Sequence, residues 1–229
     1  MKLEEEWEAI DIIDYCKENN YEIKEYSKKK LRRMDSKEFL NSPFFASTDI
    51  VQKHLRNLNL SHLIPDTYYD KFNDFYKRTI RKINYNDLLV EKFPYFLKSS
   101  GNDKSIEGGI IKNEDDLKHS WMIEDINPIN FEFYICEIVD FKVEYRLFIG
   151  NHQLYGIGFQ KGDKNISNYN DFIKQILEIS DGFYAIDIGY DNDWSIVEIN
   201  PPFSLDDYGI SMHNYVRYAI DFYKKSIEE

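Results

Sequence analysis

The sequence predicts a mixed α/β (α+β) protein: a small N-terminal α/β lobe over residues 1–90, followed by a domain of antiparallel sheet over residues 91–229. Three observations predict it. Helix-like and strand-like runs alternate through the first 90 residues, whereas later runs are joined by hairpin-type turns. The charge divides at the same place, with 16 Lys and Arg against 16 Asp and Glu in residues 1–90, and 13 against 25 in residues 91–229. A chain of 229 residues can bury a sizeable core as one large domain or two lobes. No period of 20 to 50 residues recurs and no Pro/Gly/Ser-rich linker separates the parts, so the lobes are expected to pack closely.

In chain order, the periodicity predicts a helix near residues 5–18, strands at 21–26 and 43–46, and a helix from the Ser47/Thr48 cap signal to about residue 57. A long amphipathic helix is expected over residues 66–89. The basic run "KKKLRR", residues 28–33, reads as a solvated turn or helix end before it reads as a phosphate or RNA contact. In the second part "FPYFLKSS" is a strand, "GNDKSIEGG" a polar glycine-bearing loop, and "IIKNEDDLKHSW" a strand end followed by a capped helix. Then "FEFYICEIVDFKVEYRLFIG" gives two strands with a short break between them. Gly150-Asn151 is a turn signal that should pair residues 143–149 with 152–159. A helix over 169–180, a hairpin over 184–200 and a closing helix, "YVRYAIDFYKKSIEE", complete the pattern.

Composition excludes several functions. The net charge of −12 argues against a nucleic-acid partner, since phosphate-driven binding needs a clustered basic surface. No apolar run approaches the roughly 20 residues needed to span a bilayer. The acidic start "MKLEEEWEAI" is unlike a secretory signal, so no membrane partner and a cytoplasmic location are expected. Cys16 and Cys136 read as buried free thiols, with no CxxC or Cys/His cluster to suggest disulfide or zinc. The five histidines are scattered, and no Ser/His/Asp or Cys/His arrangement stands out.

Three places carry chemistry. In "YAIDIGYDNDWSIVEINPPFS", a turn at Asn192-Asp193 would pair Asp191 with Trp194 and set Asp187 opposite Glu198, with Asn200 on the same face. Carboxylates so placed repel, and burying them calls for a cation or a shared proton; Mg²⁺ suits the first. A turn one residue longer would slip the register and turn the acids to water. Lys98 ends an apolar run just before Ser99, Ser100, Lys104, Gly108 and Gly109. That arrangement suits either a phosphate cradle or a strand-end lysine reaching solvent. Lys142, Glu144 and Arg146 share one strand face, as a ligand-facing or a solvent-facing set would.

Taken in order, these pieces resemble the ATP-grasp superfamily, and "EYRLFIGNHQLYGIGFQ" with "YAIDIGYDNDWSIVEINP" resemble its R2K clade, which includes the cell-division-cycle protein 123 family. The likeness covers about residues 91–205, with the first 90 corresponding more loosely to the preceding lobe. It implies an ATP-grasp fold binding ATP and Mg²⁺. By this resemblance Lys98 meets the α/β-phosphates and Ser100, Gly108 and Gly109 form the lid. The backbone of Glu137, Ile138 and Val139 meets adenine, Glu144 takes the ribose, and Asp187, Glu198 and Asn200 hold Mg²⁺. The superfamily usually has an arginine two residues before the first metal acid, where this chain has Ala185. The resemblance leaves Arg146, Lys104 and Lys161 as cations for the terminal phosphate. It implies a ligase joining an unidentified carboxylate and amine through an acylphosphate, on a peptide, protein or small amino-acid substrate. Two other functions fit the same residues: an ATP-binding assembly chaperone of the cell-division-cycle 123 type, and a nucleotidyltransferase adenylated on Lys98. The last needs Asp where Ser100 stands.

Overall fold

Residues 2–4 organise the N-terminal lobe, although two of the three are charged. Strand β1 (Lys2–Glu4) is buried along its length and pairs in parallel with β2 (Lys24–Tyr26) and β3 (Phe44–Phe45), giving the order β2-β1-β3. The charges are satisfied in place. Lys2 donates to the Phe39 carbonyl, Asn41 Oδ1 and Ser42 Oγ, and the Glu4 carboxylate accepts the Ser47 N–H at 2.6 Å. The structure, a computed structural model, describes residues 1–4, 10–100, 108–124, 128–203 and 205–228.

Helices α1 (Ile10–Glu18), α2 (Lys28–Arg33), α3 (Ser36–Phe39) and α4 (Thr48–Asn57) surround this sheet. The "KKKLRR" run is α2, anchored by the fully buried Leu31. His54 on α4 is fully buried and stacked on Phe39 at 4.1 Å, with its ring nitrogens on the Leu31 carbonyl and Ser36 Oγ. Burial holds its pKa below the ordinary 6.5. A depressed pKa contributes stability above the unfolded value that is lost as pH falls through the folded one. We therefore expect the melting temperature to fall as pH drops below about 6.5, and His54→Gln to flatten that slope; an unchanged slope would count against it.

The second part is built of two four-stranded antiparallel sheets. One has the order β4-β7-β5-β6, from β4 (Ile80–Asn84), β7 (Glu132–Cys136), β5 (Tyr95–Ser99) and β6 (Gly109–Ile111). Its outer face packs on α5 (Tyr85–Leu88) and α6 (Glu114–Glu124) through Leu88, Leu97, Leu117 and Phe133. The other has the order β11-β10-β8-β9, from β8 (Val143–Gly150), β9 (Gln153–Gly162), β10 (Phe183–Tyr190) and β11 (Trp194–Asn200). One face packs on α7 (Asn170–Ile179), and the other joins α8 (Met212–Glu228) in a single core with the N-terminal lobe. The boundary expected at residue 90 thus lies within the stretch that builds the first of these sheets. Among the described residues, no helix is long and apolar enough to cross a membrane.

Two expected elements differ. The helix expected over 66–89 is absent: 3₁₀ turns at Ser61–Leu63 and Asp70–Phe75 lead into β4 and α5. The helical period came from Tyr68, Phe72 and Tyr76, buried side chains four residues apart that dock on the second sheet from a non-helical strap. Tertiary burial overrides local propensity there, and Lys77 at φ 48° ends the run. The β8–β9 turn is Asn151-His152, not Gly150-Asn151, because Gly150 pairs with Gln153. Both turn residues have positive φ, 47° and 63°, as this tight hairpin requires. Gly150 is needed instead for closeness to Phe183, whose ring a Cβ would overlap.

Candidate functional site

The hairpin β10–β11 settles the register by combining the two alternatives. The turn is one residue longer than expected, so Tyr190, not Asp191, faces Trp194. Ile188 then faces Ile196, but a β-bulge at Val197 restores the pairing, and Asp187 lies directly opposite Glu198 and Ala185 opposite Asn200. A bulge of this kind re-aims the side chains that follow it. Asp187 and Asn200 are buried, 3% and 7% exposed, and the Glu198 side chain is 23% exposed.

Each carboxylate is met by a cation from a different sheet. Arg146 on β8 faces Asp187 in register and clasps it with two bonds, Nε to Oδ1 at 2.6 Å and an Nη to Oδ2 at 2.7 Å. Lys98, from β5 of the facing sheet, donates to Glu198 Oε2. Asn200 Nδ2 donates to both acids, at 3.0 Å to Asp187 and 3.2 Å to Glu198. Burial pushes the Asp187 carboxyl above its ordinary range against the pull of Arg146, whose own pKa is raised by Asp187 despite burial. Glu198 is desolvated too, but Lys98 and Asn200 outweigh that and hold it below the usual carboxylate range. The strand face carrying Lys142, Glu144 and Arg146 is therefore divided: Glu144 and Arg146 are buried, while Lys142 pairs with Asp191 in solvent.

Between the two sheets lies a cleft of about 520 Å³ lined by both polar and apolar side chains. Glu144, Arg146, Asp187 and Glu198 come to it from one sheet and Phe96 and Ile110 from the other, with Ile138 from the segment after β7. Ile110 and Ile138 are 47% and 41% exposed, large for apolar side chains, and both line the cleft. The segment after β7, Glu137 to Val139, forms its end and is clasped by Thr79, whose N–H donates to the Glu137 carboxylate at 2.7 Å and whose carbonyl accepts the Glu137 N–H at 3.1 Å. Glu144 pairs with Lys161 at 3.0 Å, and burial raises its pKa. Gly108 passes so near Phe96 that a Cβ would stand 2.8 Å from the ring, whereas Gly109 is open. The Ser100 N–H is held by the Glu132 carbonyl at 2.9 Å. Lys104 lies outside the described residues.

Two contacts are not legible in the sequence pattern, although Tyr208 is expected there, with Pro202 and Phe203, to border the acceptor. Tyr208, at φ 50°, lays its ring against the Arg146 guanidinium at 4.5 Å. Arg78 lines the cleft and donates to the carbonyls of Ile196 and Val197, the bulge itself, at 2.7 and 2.5 Å. Its position within a stretch of helical period concealed it.

The donor chemistry fits a hard divalent cation. Two opposed carboxylates and an amide supply oxygen ligands of the type Mg²⁺ takes, once the Asn200 amide turns its oxygen inward, and leave room for water or phosphate. Among the described residues no group of three or more His, Cys, Asp and Glu side chains is placed to hold a metal, so Asn200 is required for a third protein ligand.

The family model described as ATP-grasp domain, R2K clade family 2, matches residues 75–218. No curated protein matches the chain in sequence. Among solved structures it is similar to a RimK domain ATP-grasp protein from Sphaerobacter thermophilus, at 14% identity and TM-score 0.60, covering 96% of this chain and 98% of that one. It is also similar to N5-carboxyaminoimidazole synthetase from Staphylococcus aureus complexed with ADP, at 12% identity and TM-score 0.62, covering 96% and 76%. D-alanine–D-alanine ligase from Bacillus anthracis complexed with ATP matches at 13% identity and TM-score 0.54, covering 100% and 99%.

Proposed function

The chain belongs to the R2K clade of ATP-grasp domains, and we propose that it is an ATP-dependent ligase that joins a carboxylate to an amine. The observation that carries this is the opposed pair Asp187 and Glu198, buried in a cleft between two sheets and each neutralised by a base from a different strand. Paired acids with exchangeable counter-ions suit a site that admits a metal-bound polyphosphate. Structural neighbours that are ligases of this fold are consistent with it.

In the proposed site, adenine lies on Phe96, Ile110 and Ile138 against the backbone of Glu137 to Val139, and Glu144 takes the ribose hydroxyls. Lys98 exchanges Glu198 for the α/β-phosphates, under a lid that includes Ser100, Gly108 and Gly109. Asp187, Glu198 and Asn200 hold Mg²⁺, which when bound supplies neutralisation of the polyphosphate charge. Arg146 replaces the arginine missing at Ala185: it reaches Asp187 from the neighbouring strand and faces the terminal phosphate, with Lys161 and Lys104 as the further cations. The substrate carboxylate attacks that phosphate, releasing ADP, and the amine displaces phosphate from the acylphosphate. The protein's part is positioning and charge stabilisation, with no side-chain nucleophile. Residues 1–90, with Pro202, Phe203 and Tyr208, would border the acceptor, for which a peptide, a protein or a small amino acid is the proposed class.

Thermal stability of the wild type with ATP, with Mg²⁺ and with both tests the binding half, and ADP release with amino-acid and peptide acceptors tests the ligase half. A ligand at 100 times its dissociation constant stabilises by about 2.7 kcal/mol, so the shift is readily seen. Stabilisation that needs both components, with acceptor-dependent ADP release, is expected. No shift at millimolar ATP and Mg²⁺ would remove the proposal; a shift without ADP release under any acceptor would favour an assembly factor that binds nucleotide without consuming it.

A further inference from the structure

We infer that Arg78 is a positioning residue that holds the bulge at Val197 and thereby keeps Glu198 opposite Asp187. In a regular strand, successive carbonyls point to opposite edges, so one side chain does not ordinarily reach two in a row. At the bulge, the carbonyls of Ile196 and Val197 both accept from Arg78, one from each terminal nitrogen. The extra residue is Val197: Ile188 faces Ile196 before it and Asp187 faces Glu198 after it. Without that insertion held in place, residues 198 and 200 would slip by one and turn to the other face of the sheet.

β11 is the outer strand of its sheet, where carbonyls lack a neighbouring strand. The strap before β4 supplies partners instead. The Thr67 carbonyl accepts the Ile199 N–H at 2.8 Å, and Arg78 binds the bulge two and three residues earlier. Arg78 forms no ion pair among the described residues. Its planar fork serves these two carbonyls, with Nη1 also donating at 3.4 Å to the Tyr76 carbonyl of the same strap, and lies by the rings of Tyr68 at 5.7 Å and Phe141 at 5.8 Å. A fork of this geometry is not reproduced by the single ammonium of a lysine. The adjoining Thr79 clasps Glu137, so these two residues tie the acid hairpin to the far end of the cleft.

The consequence for ligand binding rests on the function proposed above, but the clamp itself does not, and a double-variant cycle separates them. Deleting Val197 makes the register continuous, with Glu198 still opposite Asp187 and no bulge left to hold. Arg78→Met is expected to lower the melting temperature of the wild type without nucleotide, and to lower it by less than half as much when Val197 is deleted. It is also expected to weaken Mg²⁺-dependent ATP binding about 10- to 100-fold, as loss of groups that orient metal ligands does, and the deletion is expected to restore it. Equal destabilisation in both backgrounds would overturn the inference. So would a loss of ATP binding that persists in the double variant, since Arg78 would then contact nucleotide directly. If the wild type binds no ATP, the proposed function fails while the nucleotide-free cycle still decides on the clamp. Should the deletion not fold, hydrogen exchange on Arg78→Met decides: faster exchange confined to the 183–200 hairpin supports the clamp, and unchanged or uniformly faster exchange refutes it.

Discussion

Replacing Arg146 by methionine is expected to destabilise the protein by about 3–5 kcal/mol, the cost of leaving a buried charge without its partner. Asp187 is 3% exposed and both its oxygens are held by that guanidinium, with the Asn200 amide and the Gln160 side chain beside it. For a chain of this size the loss corresponds to a drop on the order of 10 °C in melting temperature. Replacing both partners together, Arg146→Met with Asp187→Leu, should recover most of it, because a matched apolar pair incurs no desolvation of charge. The pH dependence has a definite sign. Burial already raises the Asp187 pKa above 3.8, and removing Arg146 raises it further. A carboxylate with a raised folded pKa favours the folded state below its unfolded value and disfavours it as pH rises through the folded one. The deficit of the variant should therefore narrow as pH falls towards 3.8, and in neutral solution Mg²⁺ should stabilise the variant more than the wild type by supplying the missing charge. A loss below about 1 kcal/mol at neutral pH would mean that Asp187 is already protonated in the native protein.

The features legible in the sequence were those carried by local pattern. Alternation placed β5, β7, β8 and the β10–β11 hairpin, and the acids Asp187 and Glu198 marked that hairpin because carboxylates facing each other in an apolar strand demand a reason. The register was harder: the longer turn and the bulge displace the pairing by one residue in opposite senses, and only their sum is visible in the final juxtaposition. β1 was missed since Lys2 and Glu4 are charged yet buried, satisfied by partners some 40 residues away. The strap over 66–78 is not legible as one because its aromatic residues recur every fourth position without forming a helix. Arg78 and Tyr208 matter through what they touch, Val197 in one case and Arg146 in the other, and no local periodicity encodes contacts with partners so distant in the chain.

Lys98 and Glu198 should respond differently to substitution because the structure joins them to each other. Lys98 donates to Glu198 across the cleft, and its pull is what holds the Glu198 pKa down despite burial. On the proposed function that bond must open: the lysine turns to the polyphosphate and the carboxylate to the metal. On that reading Glu198→Gln removes a metal ligand, and it leaves Lys98 without its counter-ion. Its expected signature is an ATP-induced shift that no longer grows with Mg²⁺, a loss of about 2.7 kcal/mol at ligand concentrations that reach 100 times the wild-type dissociation constant. On the same reading Lys98→Met removes a phosphate contact and also the cation that competes with the metal for Glu198. It should weaken ATP binding while strengthening binding of Mg²⁺ alone, seen as a Mg²⁺-induced thermal shift without nucleotide that exceeds the wild type's. The two variants thus move metal affinity in opposite directions. If both weakened ATP and left Mg²⁺ alone unaffected, Glu198 would serve only as the resting partner of Lys98, and the metal would have to be held by Asp187 and Asn200 without it.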